Sequence, residues 1–129
     1  MNYLLDTHVA LWFIQGNEAL SDKGRSLLMA PGVVAYFSPA SIQEIGIKHQ
    51  IKPDLMPISG TDARAMFLEA GFKELPIMSI HAACIDTLPL LHRDPFDRML
   101  VSQAKVSGYT LLSHDDFVAA YGNDIVLHV

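Results

Sequence analysis

Asp94-Pro95-Phe96-Asp97-Arg98-Met99-Leu100-Val101-Ser102-Gln103-Ala104-Lys105-Val106-Ser107-Gly108-Tyr109-Thr110-Leu111-Leu112 contains a helix, both of its boundaries and the strand that follows it. Aspartate is a favoured N-cap, and proline suits the first helical turn, where its missing N–H costs nothing. The spacing predicts a helix from Asp94-Pro95 to about Ser107, closed by Gly108. Residues 109–112 are short, apolar and partly aromatic, and read as a strand. A well-marked helix running straight into a buried strand is half of a parallel α/β unit.

Working outward, the same alternation recurs. Upstream, residues 2–5 form an apolar run ending at Asp6, and residues 9–14 continue with helix-compatible residues. Residues 21–29 read as a helix with Ser21 as its cap and Pro31-Gly32 as its stop. Residues 33–37 suggest a buried strand, after which Ser38-Pro39 opens a helix to about Gln50, before Pro53 and Pro57 bracket a loop. A helix over 61–70 ends at Gly71, a short strand covers 72–77, and a helix over 79–88 stops at Pro89. Downstream, a short helix spans 115–121, ended by Gly122, and a last strand spans 125–129. The expectation is a single α/β domain, residues 1–129, with a mostly parallel central sheet of about five strands and helices on both faces. No internal repeat, low-complexity tract or long linker divides the chain.

Composition narrows the function classes. A chain of 129 residues, half of them hydrophobic, can bury about two-thirds of its unfolded surface. No apolar run approaches the roughly 20 residues of a membrane span, and Met1-Asn2-Tyr3-Leu4-Leu5-Asp6 lacks the basic start of a signal peptide, so a cytoplasmic protein away from the membrane is expected. The single cysteine, Cys84, reads as a small apolar residue. The formal net charge of −5 argues against broad electrostatic capture of nucleic acid. Either a substrate is held locally or a basic partner matters, and bound divalent ions would cancel part of the deficit where a phosphate must approach.

Four acidic segments are the candidate chemistry: Leu5-Asp6-Thr7, Gln43-Glu44-Ile45, Asp94-Pro95-Phe96-Asp97 and His114-Asp115-Asp116. A parallel sheet gathers such positions at one edge, where open sheets bind ligands. Oxygen-only ligands favour Mg²⁺ or Mn²⁺ over zinc or copper. Each acid also has a structural reading. Asp6, Asp94 and either of Asp115 and Asp116 are possible helix caps, with Ser113 a rival cap for the last helix. Glu44 would belong to a capping box if its helix began at Ser41, or to a surface pair with Lys48. The cap role explains Asp94 better than Asp97. The six histidines form no zinc spacing, although His8, His92 and His114 lie beside acidic segments and are candidates to contact phosphate or support a ligand.

Leu4-Leu5-Asp6-Thr7-His8, Ser38-Pro39-Ala40-Ser41 through Lys48, Leu91-His92-Arg93-Asp94-Pro95-Phe96-Asp97-Arg98 and Thr110-Leu111-Leu112-Ser113-His114-Asp115 together resemble PIN-domain proteins of the VapC toxin type. The resemblance runs from the first strand to Tyr121-Gly122. It implies a PIN fold, a Mg²⁺- or Mn²⁺-dependent endoribonuclease activity on RNA, and pairing with an antitoxin that blocks the site. The family's four acids fall on Asp6, Glu44, Asp97 and Asp115, with Asp94 an additional acid of the subgroup. Ser113 stands where relatives often have threonine, which keeps the hydroxyl. The expected scheme gives Asp6, Glu44 and Asp97 one metal, with Asp115 completing the site or helping to hold a second. The expected partners are RNA, an antitoxin with a basic segment and, from the resemblance, a second copy in a homodimer. The rivals are a PIN protein of RNA maturation or of partner-dependent DNA binding, and a non-catalytic α/β interaction module.

Overall fold

A computed structural model describes residues Met1–Val129. The elements follow as β1 (Asn2–Leu5), α1 (Thr7–Gln15), α2 (Asp22–Met29), β2 (Val34–Phe37), α3 (Pro39–Ile51), α4 (Gly60–Glu69), β3 (Lys73–Glu74), α5 (Ser79–Ala83), a 3-10 turn (Cys84–Thr87), α6 (Pro95–Ser107), β4 (Thr110–Ser113), α7 (Asp116–Ala119) and β5 (Val126–His128). All strand pairs are parallel, in the order β3-β2-β1-β4-β5. The chain therefore builds outward from β1 to β3, then returns to the other side of β1 with β4. The reversal between β1 and β4 is the switch point at which an open sheet leaves a crevice beyond its carboxyl ends.

Side-chain alternation in the strands divides the core between the two sheet faces. Tyr3, Leu5, Phe37 and Leu112 join Val9, Leu11, Ala63 and Phe67 of α1 and α4 in one apolar cluster, while Leu4, Leu111 and Val126 pack with Leu100, Val101 and Ala104 of α6 in a second. Each fully buried leucine or phenylalanine contributes about 1.5–3 kcal/mol relative to an exposed one. The central strands β1 and β4 are therefore anchored from both sides, and their carboxyl ends make a fixed platform.

Two local expectations needed revision. The edge strand β3 has only two residues, Lys73–Glu74, rather than 72–77, because Pro76 has no N–H to extend a ladder. The helix over 79–88 changes to a 3-10 turn at Cys84, where the Thr87 hydroxyl bonds the Cys84 carbonyl at 2.7 Å and competes with helical bonding. Ser38 caps α3 with Pro39 at position N1, as the sequence predicts, so the rival capping box at Ser41 does not form and Ser41 lies buried inside the helix. At the opposite end of α6, Gly108 closes the helix at φ 70°, a conformation that costs glycine little.

Candidate active site

β1 ends at Leu5, so Asp6 sits at the first position beyond the sheet, and it does two jobs. Its Oδ1 accepts from Val9 N at 2.8 Å and caps α1, while its Oδ2 accepts from Ser113 Oγ at 2.5 Å. The residue is 5% exposed. Burial pushes its carboxyl above the usual range, against the hydrogen bonds from Ser113 and Val9. Ser113, the last residue of β4, also accepts from Asp115 N at 3.1 Å. One hydroxyl therefore ties the acid after β1 to the acid after β4, which is why a serine serves where a threonine would.

Asp115 is the cap of α7, with Oδ1 accepting from Phe117 N at 2.8 Å. Its Oδ2 stands 3.5 Å from His92 Nε2. Asp94 caps α6 through Oδ1, which accepts from Phe96 N at 2.8 Å and Asp97 N at 3.2 Å. That cap leaves Asp97, in the first turn, with its side chain free to face His92, and Oδ2 lies 2.9 Å from Nε2. The imidazole Nδ1 accepts from Asp94 N at 3.3 Å, which turns Nε2, the ring's N–H, toward both carboxylates. That nitrogen is buried without an aligned hydrogen-bond partner: it is close to both acids but satisfied by neither.

Glu44 comes from the middle of α3 and is 5% exposed. Its Oε1 lies 2.7 Å from Thr7 Oγ1 and its Oε2 2.6 Å from Lys48 Nζ. Thr7 Oγ1 is also 2.9 Å from Ser41 Oγ. One hydroxyl proton serves one acceptor, and the charged carboxylate takes it, which leaves Ser41 to donate to Thr7. The Lys48 pair exists, yet it sits on a buried acid rather than a solvent-facing one.

The four acids do not share the negative charge equally. Asp97 is pushed up to about 7, first by burial, then by Asp94, Glu44 and Asp6, with only His92 opposing. His92, Asp97 and Asp115 each place a ligand atom within 4.8 Å of the others. Asp6 shares with Asp115 a groove of about 270 Å³, also lined by His8, Trp12 and His114. Asp94 is occupied as a cap, and Asp116 points to solvent, 3.2 Å from His128. The donor set is mostly hard oxygen, and burial together with three neighbouring acids raises Asp97. That combination fits a Mg²⁺ or Mn²⁺ ion.

Two supporting residues lie within the quoted motifs but take roles the sequence alone does not assign. Thr7 is the buried donor to Glu44. Arg98 is buried without a carboxylate partner, and its guanidinium donates to the Pro89 carbonyl at 3.1 Å, the Ile85 carbonyl at 3.0 Å and Tyr121 Oη at 3.0 Å. Tyr121 Oη in turn accepts from His92 N at 3.3 Å. Arg98 thus clamps the connection that carries His92 onto α6. A charged residue on the inward side of an otherwise apolar helix was the available signal.

The fold has counterparts among known proteins. The VapBC2 complex of Rickettsia felis bound to a DNA fragment from its promoter superposes with a TM-score of 0.71 at 16% identity, covering 99% of this chain and 98% of that chain. A toxin–antitoxin complex from Klebsiella pneumoniae gives 0.64 at 13%, covering 98% and 99%, and FitAcB from Neisseria gonorrhoeae 0.64 at 16%, covering 98% and 96%. Comparison with curated proteins gave no sequence match. The PIN domain family model matches residues 3–122, a span that starts in β1, ends after α7 and takes in all four acids. The chain belongs to the PIN domain family.

Proposed function

We propose that this protein is a divalent-metal-dependent endoribonuclease and the toxin of a toxin–antitoxin pair. The observation that carries the reading is the gathering of Asp6, Asp97 and Asp115 at the β1/β4 switch point, with Glu44 close enough to raise Asp97, in a cluster short of positive charge. Helix capping alone accounts for Asp94 and part of Asp6 and Asp115, but it gives no reason to press Asp97 against three other acids. Asp6, Glu44 and Asp97 would hold one ion, and Asp115 would complete the site or help to hold a second. A divalent ion there supplies an activated water and neutralises charge on the phosphate. The protein's own residues supply the rest: Ser113 and Thr7 orient Asp6 and Glu44, Asp97 would serve the ion as an anionic ligand, and His92 stands beside Asp97 and Asp115.

The toxin reading draws support from the fold shared with the Klebsiella pneumoniae toxin–antitoxin complex and with the VapBC2 complex. An acidic crevice suits an arginine-bearing antitoxin segment, because guanidinium pairs with carboxylate in fork geometry. The working form is a cytoplasmic homodimer with RNA as substrate. Partner-dependent DNA binding is a second reading, favoured by the promoter DNA held in the Rickettsia felis complex.

The test is RNA cleavage in Mg²⁺ or Mn²⁺ by wild type, Asp6→Asn, Glu44→Gln and Asp97→Asn. Each variant should fold and lose most cleavage. Wild-type rates in two of the three would overturn the site. Sedimentation of the purified chain, and co-purification with the product of a neighbouring small gene, test the dimer and the antitoxin.

A further inference from the structure

On the outer side of His92 lies a groove of about 330 Å³ lined by Leu91, His92, Arg93 and Phe117. Phe117 is 66% exposed, although the inward-facing residue of its helix is its neighbour Val118. Its ring is not adrift: the centroid stands 5.8 Å from that of His92, tilted by 45°. Arg93 is exposed, and none of the protein's ion pairs includes it. A chain with an excess of acids therefore places an aromatic face, an apolar edge and an unpaired guanidinium together, directly beside its acidic crevice. His92 is the shared wall, since the same ring approaches Asp97 Oδ2 at 2.9 Å and Asp115 Oδ2 at 3.5 Å.

We propose that this groove binds one nucleobase of the RNA next to the bond that is cut, stacked on Phe117, with Arg93 holding an adjacent phosphate. The inference rests on the nuclease reading and adds to it the residues that receive the strand. Aromatic faces accept any base, because every base presents a π-surface. Guanidinium matches phosphate bidentately. A protein segment carrying cations for the acids would bring them up against Arg93, whereas a strand of RNA offers an anion to Arg93 and a flat ring to Phe117. Charge complementarity therefore favours the nucleic acid. The subsite also answers the composition: with a net charge of −5 the protein has no broad basic field, so a local foothold beside the site must supply grip.

The experiment uses the full chain carrying Asp6→Asn, so that RNA survives, in Mg²⁺, with a single-stranded RNA containing 2-aminopurine. Affinity is read by anisotropy and stacking by quenching of the base's emission. The inference predicts quenching by the parent, loss of quenching and about tenfold weaker binding with Phe117→Ala, and retention of both with Phe117→Trp. Arg93→Gln should weaken binding and reduce the salt slope by about one. Phe117 is exposed, so its alanine variant should melt as the parent does. Unchanged affinity and quenching in Phe117→Ala, or no binding of RNA by the parent, overturns the subsite. Cleavage by the wild type is scored separately: cutting without a Phe117 effect removes only this inference, while stacking without cutting removes the nuclease reading and leaves the subsite.

Discussion

Glu44 and Asp97 bring the same charge to one crevice from two different helices, and the fold treats them oppositely. On α3, Glu44 has Lys48 Nζ at 2.6 Å and the Thr7 hydroxyl at 2.7 Å. On α6, Asp97 has three acids pressing on it, a histidine without aligned geometry, and a carboxyl pushed up to about 7. The α3 wall is neutralised by the protein itself, whereas the α6 wall, on the proposed reading, takes its positive charge from a divalent cation. The difference shows that burial of acids at a sheet edge is not by itself a liability; what marks a site is burial without a counter-ion.

The largest effects should come from removing one acid of each wall. Asp97→Asn and Glu44→Gln should each reduce RNA cleavage at least about a hundredfold, the scale for losing a major transition-state contact. Their metal-free stabilities should move apart. Asp97→Asn relieves repulsion and should raise the melting temperature in EDTA, while Glu44→Gln strands Lys48 and should lower it. Parallel shifts in the two melts would erase the contrast between the walls.

Next in size is the clamp behind the α6 wall. Arg98→Met leaves the Pro89 and Ile85 carbonyls and Tyr121 Oη without their donor, a loss of about 2–3 kcal/mol by the usual cost of unsatisfied buried polar groups. Urea unfolding measures it, and a loss below about 0.5 kcal/mol, the range of ordinary surface substitutions, would show that His92 is held by other means.

The architecture was readable because its signals are local. Gly108, Asp94-Pro95 and Ser38-Pro39 mark helix ends through backbone chemistry, and the apolar runs at β1 and β4 need no partner to be seen. The elements that strayed, β3 and the turn at Cys84, are short ones whose length depends on a single proline or a side-chain hydroxyl. The four acids could be picked out by their positions after strands and in helical segments. Their unequal charge could not, because Lys48 faces Glu44, and Asp94 spends itself on the cap, only once α3 and α6 are packed. The supporting roles of Arg98 and Thr7 were hidden for the same reason: their partners lie on other elements.

A smaller contrast is carried by pH. The folded carboxyl of Asp97 lies at about 7 against an ordinary 3.8, so between those values the metal-free folded state binds the extra proton. Its contribution to stability is complete below about pH 4 and is lost as pH rises through 7. Burial moves Asp6 in the same direction. Melts in EDTA should therefore fall from pH 4 to pH 7, and Asp97→Asn should flatten that fall. The smallest effect belongs to Lys48→Met. Lys48 is 46% exposed in its pair with Glu44, and such pairs contribute up to about 1 kcal/mol. A larger loss would mean that the α3 wall relies on Lys48 more than its exposure allows.

The central claim, that the acids at the switch point hold a divalent cation, is tested most directly by thermal melts of wild type and Asp97→Asn in EDTA and in Mg²⁺. At about 100 times its dissociation constant, Mg²⁺ should stabilise the wild type by roughly 2.7 kcal/mol, and it should stabilise Asp97→Asn clearly less, although that variant starts from the higher melting temperature. Equal gains in the two proteins, with Asp97→Asn the less stable in EDTA, would contradict the claim and make Asp97 a helix-start residue and not a ligand.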